Sequence, residues 1–215
     1  INNDLRQGFD FSVYGNKKFG NWDLTLGVSG MYYTTEATQR DEVIAIGNEY
    51  TSRVGQPLNA IWGLESDGFI TSKDQISDTP EEATSTKLNY KLGQDPTIGD
   101  LKYIDQNGDN IIDEHDEVFL GRSDTPFRLG LNFTAKYKNW TLFVMGNGYF
   151  GGYGLKNSSY YWVHSDRKYS EVVRGRWTPE TAATATFPRL TTTNGAHSFR
   201  NSDFWLYKAD RFNLS

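Results

Sequence analysis

Two segments far apart in the sequence alternate apolar and polar residues with the period of a β-strand. From residue 5 to residue 15 the odd positions between Phe9 and Val13 are apolar, while the even positions are polar or amphipathic. A short basic turn is predicted at residues 16–21, after which the alternation resumes at Trp22. Successive side chains of a strand point to opposite faces, so the pattern predicts a hairpin with two unlike faces.

A second predicted hairpin repeats this arrangement later in the chain. Residues 127–137 alternate in the same way, and a turn is predicted at Lys138-Asn139. The returning strand begins at Trp140, and each returning strand starts with Asn-Trp. The last residues, 212–215, have the pattern of a further strand, and the connections between hairpins are long and rich in Gly, Asp, Thr and Ser. The chain is therefore predicted to be all-β, with short turns at one end of the strands and long loops at the other.

Composition agrees with β structure and excludes several functions. Aromatic residues make up 15% of the chain, which favours strands, whereas a hydrophobic content of 37% is low for a well-filled soluble core. The net charge of −5 argues against a nucleic-acid partner, because phosphate binding needs clustered Lys and Arg. The absence of cysteine excludes disulfides and thiol chemistry. No stretch approaches the roughly 20 apolar residues of a membrane-spanning helix.

Two all-β architectures fit the alternation. In a secreted β-sandwich the apolar face packs against a second sheet, and such a module could bind carbohydrate with calcium. In an outer-membrane barrel the apolar face contacts lipid, and aromatic residues line the strand ends. The repeated Asn-Trp turn and predicted strands of about ten residues favour the barrel. The sandwich is the alternative.

Residues 105–116, D-Q-N-G-D-N-I-I-D-E-H-D, have the oxygen-ligand spacing of a calcium-binding loop. Four carboxylates crowded into one turn repel one another unless a cation lies among them. A structural calcium ion is therefore predicted. Its ligands would be side-chain oxygens and one main-chain carbonyl, from Asp105, Asn107, Asp109, Ile111 (through its carbonyl), Asp113 and Asp116.

A solvated turn is the alternative for this loop, because Asp, Asn and Gly are common in turns. Asn110 occupies the sixth position, where calcium loops prefer glycine, although asparagine tolerates a left-handed backbone. Asp116 replaces the longer glutamate of the twelfth position, which weakens the case for bidentate coordination. His115 stands at a position that supplies no ligand, and we expect it to be exposed.

No enzyme signature is found. The three histidines are widely spaced, and the sequence has no H-E-x-x-H, G-x-S-x-G or P-loop motif. Carboxylate pairs such as Glu81-Glu82 could be nominated for glycoside cleavage, but they lie in polar loop sequence, where solvated surface charge is the expected role. The chain is predicted not to be an enzyme.

An aromatic run follows the strand that begins at Trp140 and would emerge into a long loop. Aromatic faces stack on sugar rings and pack against peptide side chains, which makes the run a candidate substrate-facing surface. Packing of the loop against its neighbours, or against a partner protein, is the competing explanation. The candidate substrate-facing residues are Tyr153, Tyr160, Tyr161 and Trp162.

Four short segments, taken in their order along the chain, resemble a known protein family more specifically than the alternation does. They are V-G-Q-P-L-N-A-I-W-G at 54–63 with D-G-F-I at 67–70, G-D-L-K-Y-I-D-Q-N-G-D at 99–109, G-R-S-D-T-P-F at 121–127, and S-D-F-W-L-Y-K-A-D-R-F at 202–212. Together, over nearly the whole chain, they resemble the C-terminal barrel region of SusC/RagA-like TonB-dependent transporters.

This resemblance implies that residues 1–215 are part of one TonB-dependent receptor β-barrel domain. The fold implied is an antiparallel transmembrane β-barrel of about 22 strands, with long extracellular loops, in contact with outer-membrane lipid of a Gram-negative bacterium. Such transporters import oligosaccharides or oligopeptides together with a SusD-like surface lipoprotein, using energy transmitted by TonB. The calcium-like loop would then stabilise one of the extracellular loops.

The resemblance also implies parts that this sequence does not contain. The family's plug domain, its TonB box and its final barrel strand have no counterpart among these residues. We therefore expect the chain to be a piece of a longer transporter, and TonB to be contacted through an N-terminal region outside it.

Overall fold

The structure, a computed structural model, describes residues 2–44, 49–193 and 197–215. Five long or terminal strands form one antiparallel sheet in the order β1-β2-β10-β11-β14. The other strands are short and lie in the connections between them. In chain order the strands are β1 Asn3–Phe19, β2 Trp22–Gln39, β3 Ala60–Gly63, β4 Ser66–Phe69, β5 Ile76–Ser77, β6 Leu88–Tyr90, β7 Leu101–Tyr103, β8 Ile111–Ile112, β9 Val118–Arg122, β10 Phe127–Tyr137, β11 Trp140–Phe150, β12 Tyr153–Leu155, β13 Leu206–Lys208 and β14 Arg211–Leu214.

Both predicted hairpins are present, but the first turn is shorter than predicted. β1 and β2 stay paired as far as Phe19 and Trp22, so the turn is Gly20-Asn21 and not residues 16–21. The ladder continues because polar residues bond across it: the Asn16 amide donates to Asp23 at 2.7 Å. Gly20 adopts a positive φ of 56°, which a tight two-residue turn requires.

The second hairpin closes at Lys138-Asn139 as predicted, between Tyr137 and Trp140. β10 and β11 have 11 residues each, close to the predicted strand length, whereas β1 and β2 have 17 and 18. β14 confirms the strand pattern expected at the end of the sequence, and it pairs with β11.

The register of the five strands separates apolar from polar side chains. Pairs such as Val13↔Val28 and Leu131↔Val28 bring apolar residues into continuous rows, while Ser12↔Ser29 and Gly130↔Ser29 do the same for small polar ones. The apolar face carries Phe9, Phe11, Val13, Phe19, Trp22, Leu24, Leu26, Val28, Tyr32, Phe127, Leu129, Leu131, Phe133, Ala135, Tyr137, Trp140, Leu142, Val144, Phe150, Phe212 and Leu214, together with the basic Lys17 near the turn. The polar face carries Asp10, Ser12, Tyr14, Asn16, Lys18, Asp23, Thr25, Ser29, Met31, Tyr33, Arg128, Asn132, Thr134, Lys136, Thr141, Phe143, Met145, Asn147, Tyr149, Arg211 and Asn213.

Aromatic side chains form two bands across the apolar face. The turn-end band consists of Phe19, Trp22, Tyr137 and Trp140, and the rings of Trp22 and Tyr137 lie 4.6 Å apart. The loop-end band consists of Phe9, Tyr32, Phe127 and Phe150, in which the rings of Phe9 and Tyr32 lie 6.1 Å apart. The apolar surface between the bands carries aliphatic residues, phenylalanine, glycine and, next to the turn-end band, Lys17.

The two long connections, residues 40–126 and 151–210, fold at the same end of the sheet, and we call their described residues the loop unit. Its strands pair as β3-β9, β4-β7, β5-β6-β8 and β12-β13. The loop unit also contains short 3-10 helices, at Glu49–Thr51, Lys73–Gln75, Pro80–Glu82, Glu114–Asp116, Glu171–Gly175 and Asp203–Trp205. None of the helices in the described residues has the length and apolar character needed to cross a membrane.

The loop unit has buried cores of its own. The first core consists of Leu64, Ile70, Leu88, Tyr90, Leu92, Leu101, Tyr103 and Ile112. The second consists of Val163, Val173, Phe187, Phe199 and Trp205. Polar contacts join the two connections: the Ser66 amide donates to Asp203 at 2.8 Å, and the Leu101 amide donates to the buried Ser198 hydroxyl at 2.9 Å.

Candidate functional site

The first half of the Asp105–Asp116 loop is built from side chains that accept backbone hydrogen bonds. The Asp105 carboxylate accepts the amides of Gly108 and Asn110, each at 2.7 Å. Asn107 accepts the amide of Asp109 at 2.9 Å, so the chain reverses direction tightly around these oxygens. Asn110 has a φ of 64°, the left-handed conformation that this position requires.

The second half of the loop closes on Asp116. Asp113 caps the short helix Glu114–Asp116 by accepting the His115 amide at 2.7 Å. Asp116 is fully buried, and its two oxygens accept the amides of Gln106 and Asp113, both at 2.8 Å. Burial raises the pKa of the Asp116 carboxyl, although the two amide hydrogen bonds oppose this shift.

The loop gathers negative charge around Tyr50. The Tyr50 hydroxyl donates to the His115 carbonyl at 2.5 Å. Burial, followed by the carboxylates of the loop, raises the pKa of this hydroxyl to about 12. Ile111, predicted to offer its carbonyl, lies in β8, where it pairs with Asn89 of β6. Within the part of the chain that the structure describes, no three His, Cys, Asp or Glu side chains form a group arranged to hold a metal ion.

The predicted substrate-facing aromatics occupy different environments. Tyr161 and Trp162 pack against the second core of the loop unit, and the Trp162 ring lies 6.4 Å from that of Trp205. Tyr153 lies in β12, and its ring would contact any side chain placed at Gly121. Tyr160 is 49% exposed, so its side chain is the most open of the four. The structure therefore separates three partly buried rings from one exposed ring.

A row of alternating arginine and tyrosine side chains crosses the polar face near the loop unit, and no sequence motif marks it. The row contains Arg122, Tyr33, Arg128, Tyr149 and Arg211. Successive guanidinium-to-ring distances along it are 5.9, 5.8, 5.9 and 4.5 Å. The available signal was the alternation itself, because it assigns Arg128 and Tyr149 to the polar face of their strands.

Beside this row, small residues leave a groove in the polar face. Ser12, Ser29, Gly130 and Asn147 are register partners across four neighbouring strands. They contribute to a groove of about 340 Å³, which Asp10, Arg128 and Tyr149 also line.

Comparisons with known proteins agree with the fold described above. No family model matches the sequence. The chain is 31% identical over 153 residues, 69% of its length, to the TonB-dependent receptor P26 of Formosa agariphila, and it spans only 14% of that protein.

Among solved structures, the RagAB peptide transporter matches 98% of the chain with a TM-score of 0.66 at 15% sequence identity. The RagAB peptide importer in its closed-closed state matches 98% with a TM-score of 0.63 at 17% identity. The chain spans 22% of each of these proteins. The predicted resemblance to TonB-dependent transporters is confirmed, as is the predicted fold class of an antiparallel barrel segment.

Proposed function

We propose that this chain forms part of the wall and outer loops of a TonB-dependent importer in the outer membrane of a Gram-negative bacterium. The apolar face and its two aromatic bands carry the proposal. Phe127 and Tyr137, which mark the bands on β10, are ten residues apart. Ten residues span about 33 Å along a strand, and the usual strand tilt reduces this to about 25 Å, the height of the apolar band of outer-membrane barrels.

The two ends of the sheet support an orientation. Outer-membrane barrels carry short turns on the periplasmic side and long loops outside. The two-residue turns at Gly20-Asn21 and Lys138-Asn139 would then face the periplasm, and the loop unit would face the cell exterior. The polar face would line the lumen, since lumen-facing and lipid-facing residues alternate along each strand.

Exposure of the apolar face favours this function over the β-sandwich alternative. Val13 is 65% exposed, Trp140 80% and Leu214 70%, and no second sheet of the described residues covers them. In a soluble sandwich these side chains would form the core. In a barrel the same side chains contact lipid.

We further propose the partners and cargo that the resemblance implies. Energy would come from TonB through a region outside this chain, and a SusD-like surface lipoprotein would cover the loop unit. The imported material would be an oligosaccharide or an oligopeptide; the peptide option has the support that the RagAB proteins of the same fold are named peptide transporters. Tyr160, with its exposed ring, is the predicted substrate-facing residue best placed to contact cargo or lipoprotein. Similarity to a receptor and to transporters supports a role without catalysis.

The full-length protein that contains this segment provides the test. We expect it to fractionate with outer membranes, to require detergent for extraction, and to carry the loop unit outside. A cysteine introduced at Tyr169, which is 74% exposed, should react with a membrane-impermeant maleimide on intact cells. A matched cysteine at Asn139, in the opposite turn, should react only after the outer membrane is permeabilised. Recovery of a folded protein from the soluble fraction would overturn the proposal.

Calcium binding by the Asp105–Asp116 loop stays a proposal, and the donor set fits a hard cation. A carboxylate oxygen has two lone pairs, so an oxygen that accepts one amide can still face an ion. Asp105, Asn107, Asp109, Asp113 and Asp116 would supply side-chain oxygens, and Ile111 a carbonyl. The ion would offset the mutual repulsion of four carboxylates and stabilise the loop without taking part in any reaction.

The calcium proposal is tested by melting the full-length protein with calcium and with chelator. Calcium should raise the Tm of the loop unit, and Asp105→Ala with Asp109→Ala should abolish that rise while the barrel still forms. The control is Asp78→Ala with Glu81→Ala, which removes two acidic groups from exposed positions outside the loop. Identical melting of the parent protein with and without chelator would contradict calcium binding.

A further inference from the structure

The arginine–tyrosine row of the polar face contains two guanidinium groups without an acidic partner. Arg122 is neutralised, because it donates to the Asp124 carboxylate at 2.6 and 2.7 Å. Among the described residues, no carboxylate lies within ion-pair distance of Arg128 or Arg211, and neither guanidinium hydrogen-bonds. Both contact the ring of Tyr149, at 5.9 and 4.5 Å.

Contact with the ring holds the two arginines while leaving their donors available. A guanidinium over an aromatic face is held by the ring quadrupole, and the N–H groups at its edge remain free. Arg128 and Arg211 are both exposed on a chain whose net charge is −5, so they form a local positive site on an acidic protein. Their planar forks match carboxylate and sulfate oxygens.

The row lies at the mouth of the proposed barrel. Arg128 follows Phe127 of the loop-end aromatic band, and its side chain lies on the opposite face of β10. The adjacent groove of about 340 Å³ is lined by Ser12, Ser29, Gly130 and Asn147, which offer polar groups and little steric hindrance. Its one acidic lining residue, Asp10, lies across Met31 from Arg128 and forms no ion pair with it. A volume of a few hundred Å³ accommodates a small-molecule-sized group. A ligand unit can therefore lie on the floor while its charged group reaches the arginines.

We propose that Arg128 and Arg211, spaced by Tyr149, bind the anionic groups of the transported oligomer as it enters the barrel. The substrate class inferred is an oligomer that bears carboxylate or sulfate groups. This inference rests on the proposed function, and it is carried by charge complementarity: of the two unpaired guanidiniums at the mouth, Arg128 lines the polar groove, and Arg211 lies beside it on the ring of Tyr149. Tyr149 holds the arginines and is not itself a platform for sugar stacking, because the two guanidiniums contact its ring.

The test compares matched probes on the full-length transporter in detergent. One pair is an oligouronate and a neutral oligosaccharide of equal length, and the other is a Glu-containing peptide and its Gln counterpart. For at least one pair we expect the parent protein to bind the anionic member about tenfold more tightly, because hydrogen bonds to charged groups are the stronger ones. Added salt should reduce this preference.

The double variant Arg128→Gln with Arg211→Gln should lose the anion preference, and Arg128→Lys with Arg211→Lys should retain part of it. The control is Arg122→Gln, which removes an arginine already paired with Asp124 and should leave the preference unchanged. Equal binding of anionic and neutral probes by the parent protein overturns the inference.

A preference that survives the double Gln variant also overturns the inference. A third contrary outcome is a double Gln variant that loses barrel folding in detergent gels, because the arginines would then bind another part of the transporter, such as its plug. Failure of the proposed function is a separate result: it would appear as soluble fractionation of the parent protein, whatever the probes do.

Discussion

The sheet and the loop unit place their apolar side chains in opposite ways. In the sheet, Phe9, Val13 and Trp140 are more than half exposed, and β1 has no buried residue. In the loop unit, Ile70 and Tyr103 are fully buried, each within a core like that of a small water-soluble domain. Apolar side chains are thus exposed in the sheet and buried in the loop unit. The proposed outer membrane explains the difference, because lipid would take the place of a protein core around the sheet.

The stabilising interactions of the two regions differ accordingly. The sheet depends on long backbone ladders, with β1 and β2 paired over 17 residues of β1. In the proposed outer membrane, lipid would cover its apolar face. The loop unit has strands of only two to five residues and depends on buried side chains and specific polar contacts. A core substitution should therefore disrupt the loop unit alone, and a charge on the apolar face should disrupt the sheet.

Trp205→Ala is expected to have the largest effect, and only on the loop unit. Trp205 is 3% exposed, stacks with Phe199 at 5.7 Å, and donates its indole N–H to the Ser198 carbonyl at 2.9 Å. Loss of a buried tryptophan costs about 3–5 kcal/mol. Limited proteolysis of the full-length protein should show rapid cleavage within the loop unit while the barrel stays folded in detergent gels. Tyr169→Ala, at an exposed position, should change neither.

Leu131→Arg should have the opposite effect: it should disrupt the barrel and leave the loop unit folded. Leu131 pairs with Val28 and lies between the two aromatic bands on the apolar face, near the middle of the proposed bilayer. A charge at this depth on the lipid face costs about 2–4 kcal/mol. We expect less folded barrel in the outer membrane, measured by the heat-dependent shift in gel mobility.

Asn132→Arg is the matched control, because it places the same side chain one residue along β10 on the polar face. Equal loss of folding in the two variants would contradict the assignment of lipid-facing and lumen-facing sides.

The loop unit should weaken in acid through His197. This side chain is 1% exposed, donates from Nε2 to the Leu101 carbonyl at 2.9 Å, and packs between Tyr90 and Tyr103. Burial lowers its pKa to about 4, and the nearby Asp100 only partly opposes this. Because the unfolded chain binds a proton near pH 6.5 and the folded one does not, stability should fall as the pH drops from about 6.5 to 4, by up to about 3 kcal/mol.

Protease susceptibility of the loop unit, followed from pH 7 to pH 4, measures this effect. His197→Gln keeps a donor for the Leu101 carbonyl but does not titrate, so its pH profile should be flatter than that of the parent. Parallel profiles for the parent and His197→Gln would exclude His197 as the cause.

The same contrast explains what the sequence could and could not predict. Alternation predicted both hairpins and the two faces of the sheet, because a long strand with one apolar face and one polar face repeats every second residue. The first turn was placed too early, because Lys17 and Lys18 belong to a strand that extends to Phe19. Basic residues near a membrane boundary can remain in a strand, with their charges directed to water.

The loop unit was less predictable, because its contacts join residues far apart in the chain. The Asp105–Asp116 segment was recognised from spacing alone, yet the Tyr50 hydroxyl that bonds to the His115 carbonyl comes from another part of the connection. The Arg128–Tyr149–Arg211 contacts depend on the register between three strands, which no single segment specifies. Local pattern therefore predicted the long strands of the sheet, and only the assembled fold showed the short strands of the loop unit and the residues that meet there.

The smallest expected effect is the coupling energy of an aromatic pair, which can be measured for one pair in each region. Trp22 and Tyr137 pair across strands in the turn-end band with ring centres 4.6 Å apart, and Phe199 and Trp205 stack in the loop unit at 5.7 Å. Aromatic pairs contribute about 0.5–1.5 kcal/mol beyond the area they bury. A double-mutant cycle with Trp22→Leu and Tyr137→Leu should give a coupling energy in this range, measured by barrel unfolding in detergent.

A matching cycle with Phe199→Leu and Trp205→Leu should give a coupling of similar size that is visible only in loop cleavage. Similar pair energies with separate readouts would mean that the ring contacts themselves are alike, and that the two regions differ in the medium that covers their apolar surfaces. If the Trp22–Tyr137 coupling appeared in loop cleavage as well, the sheet and the loop unit would unfold as one cooperative unit, and the division between them would be wrong.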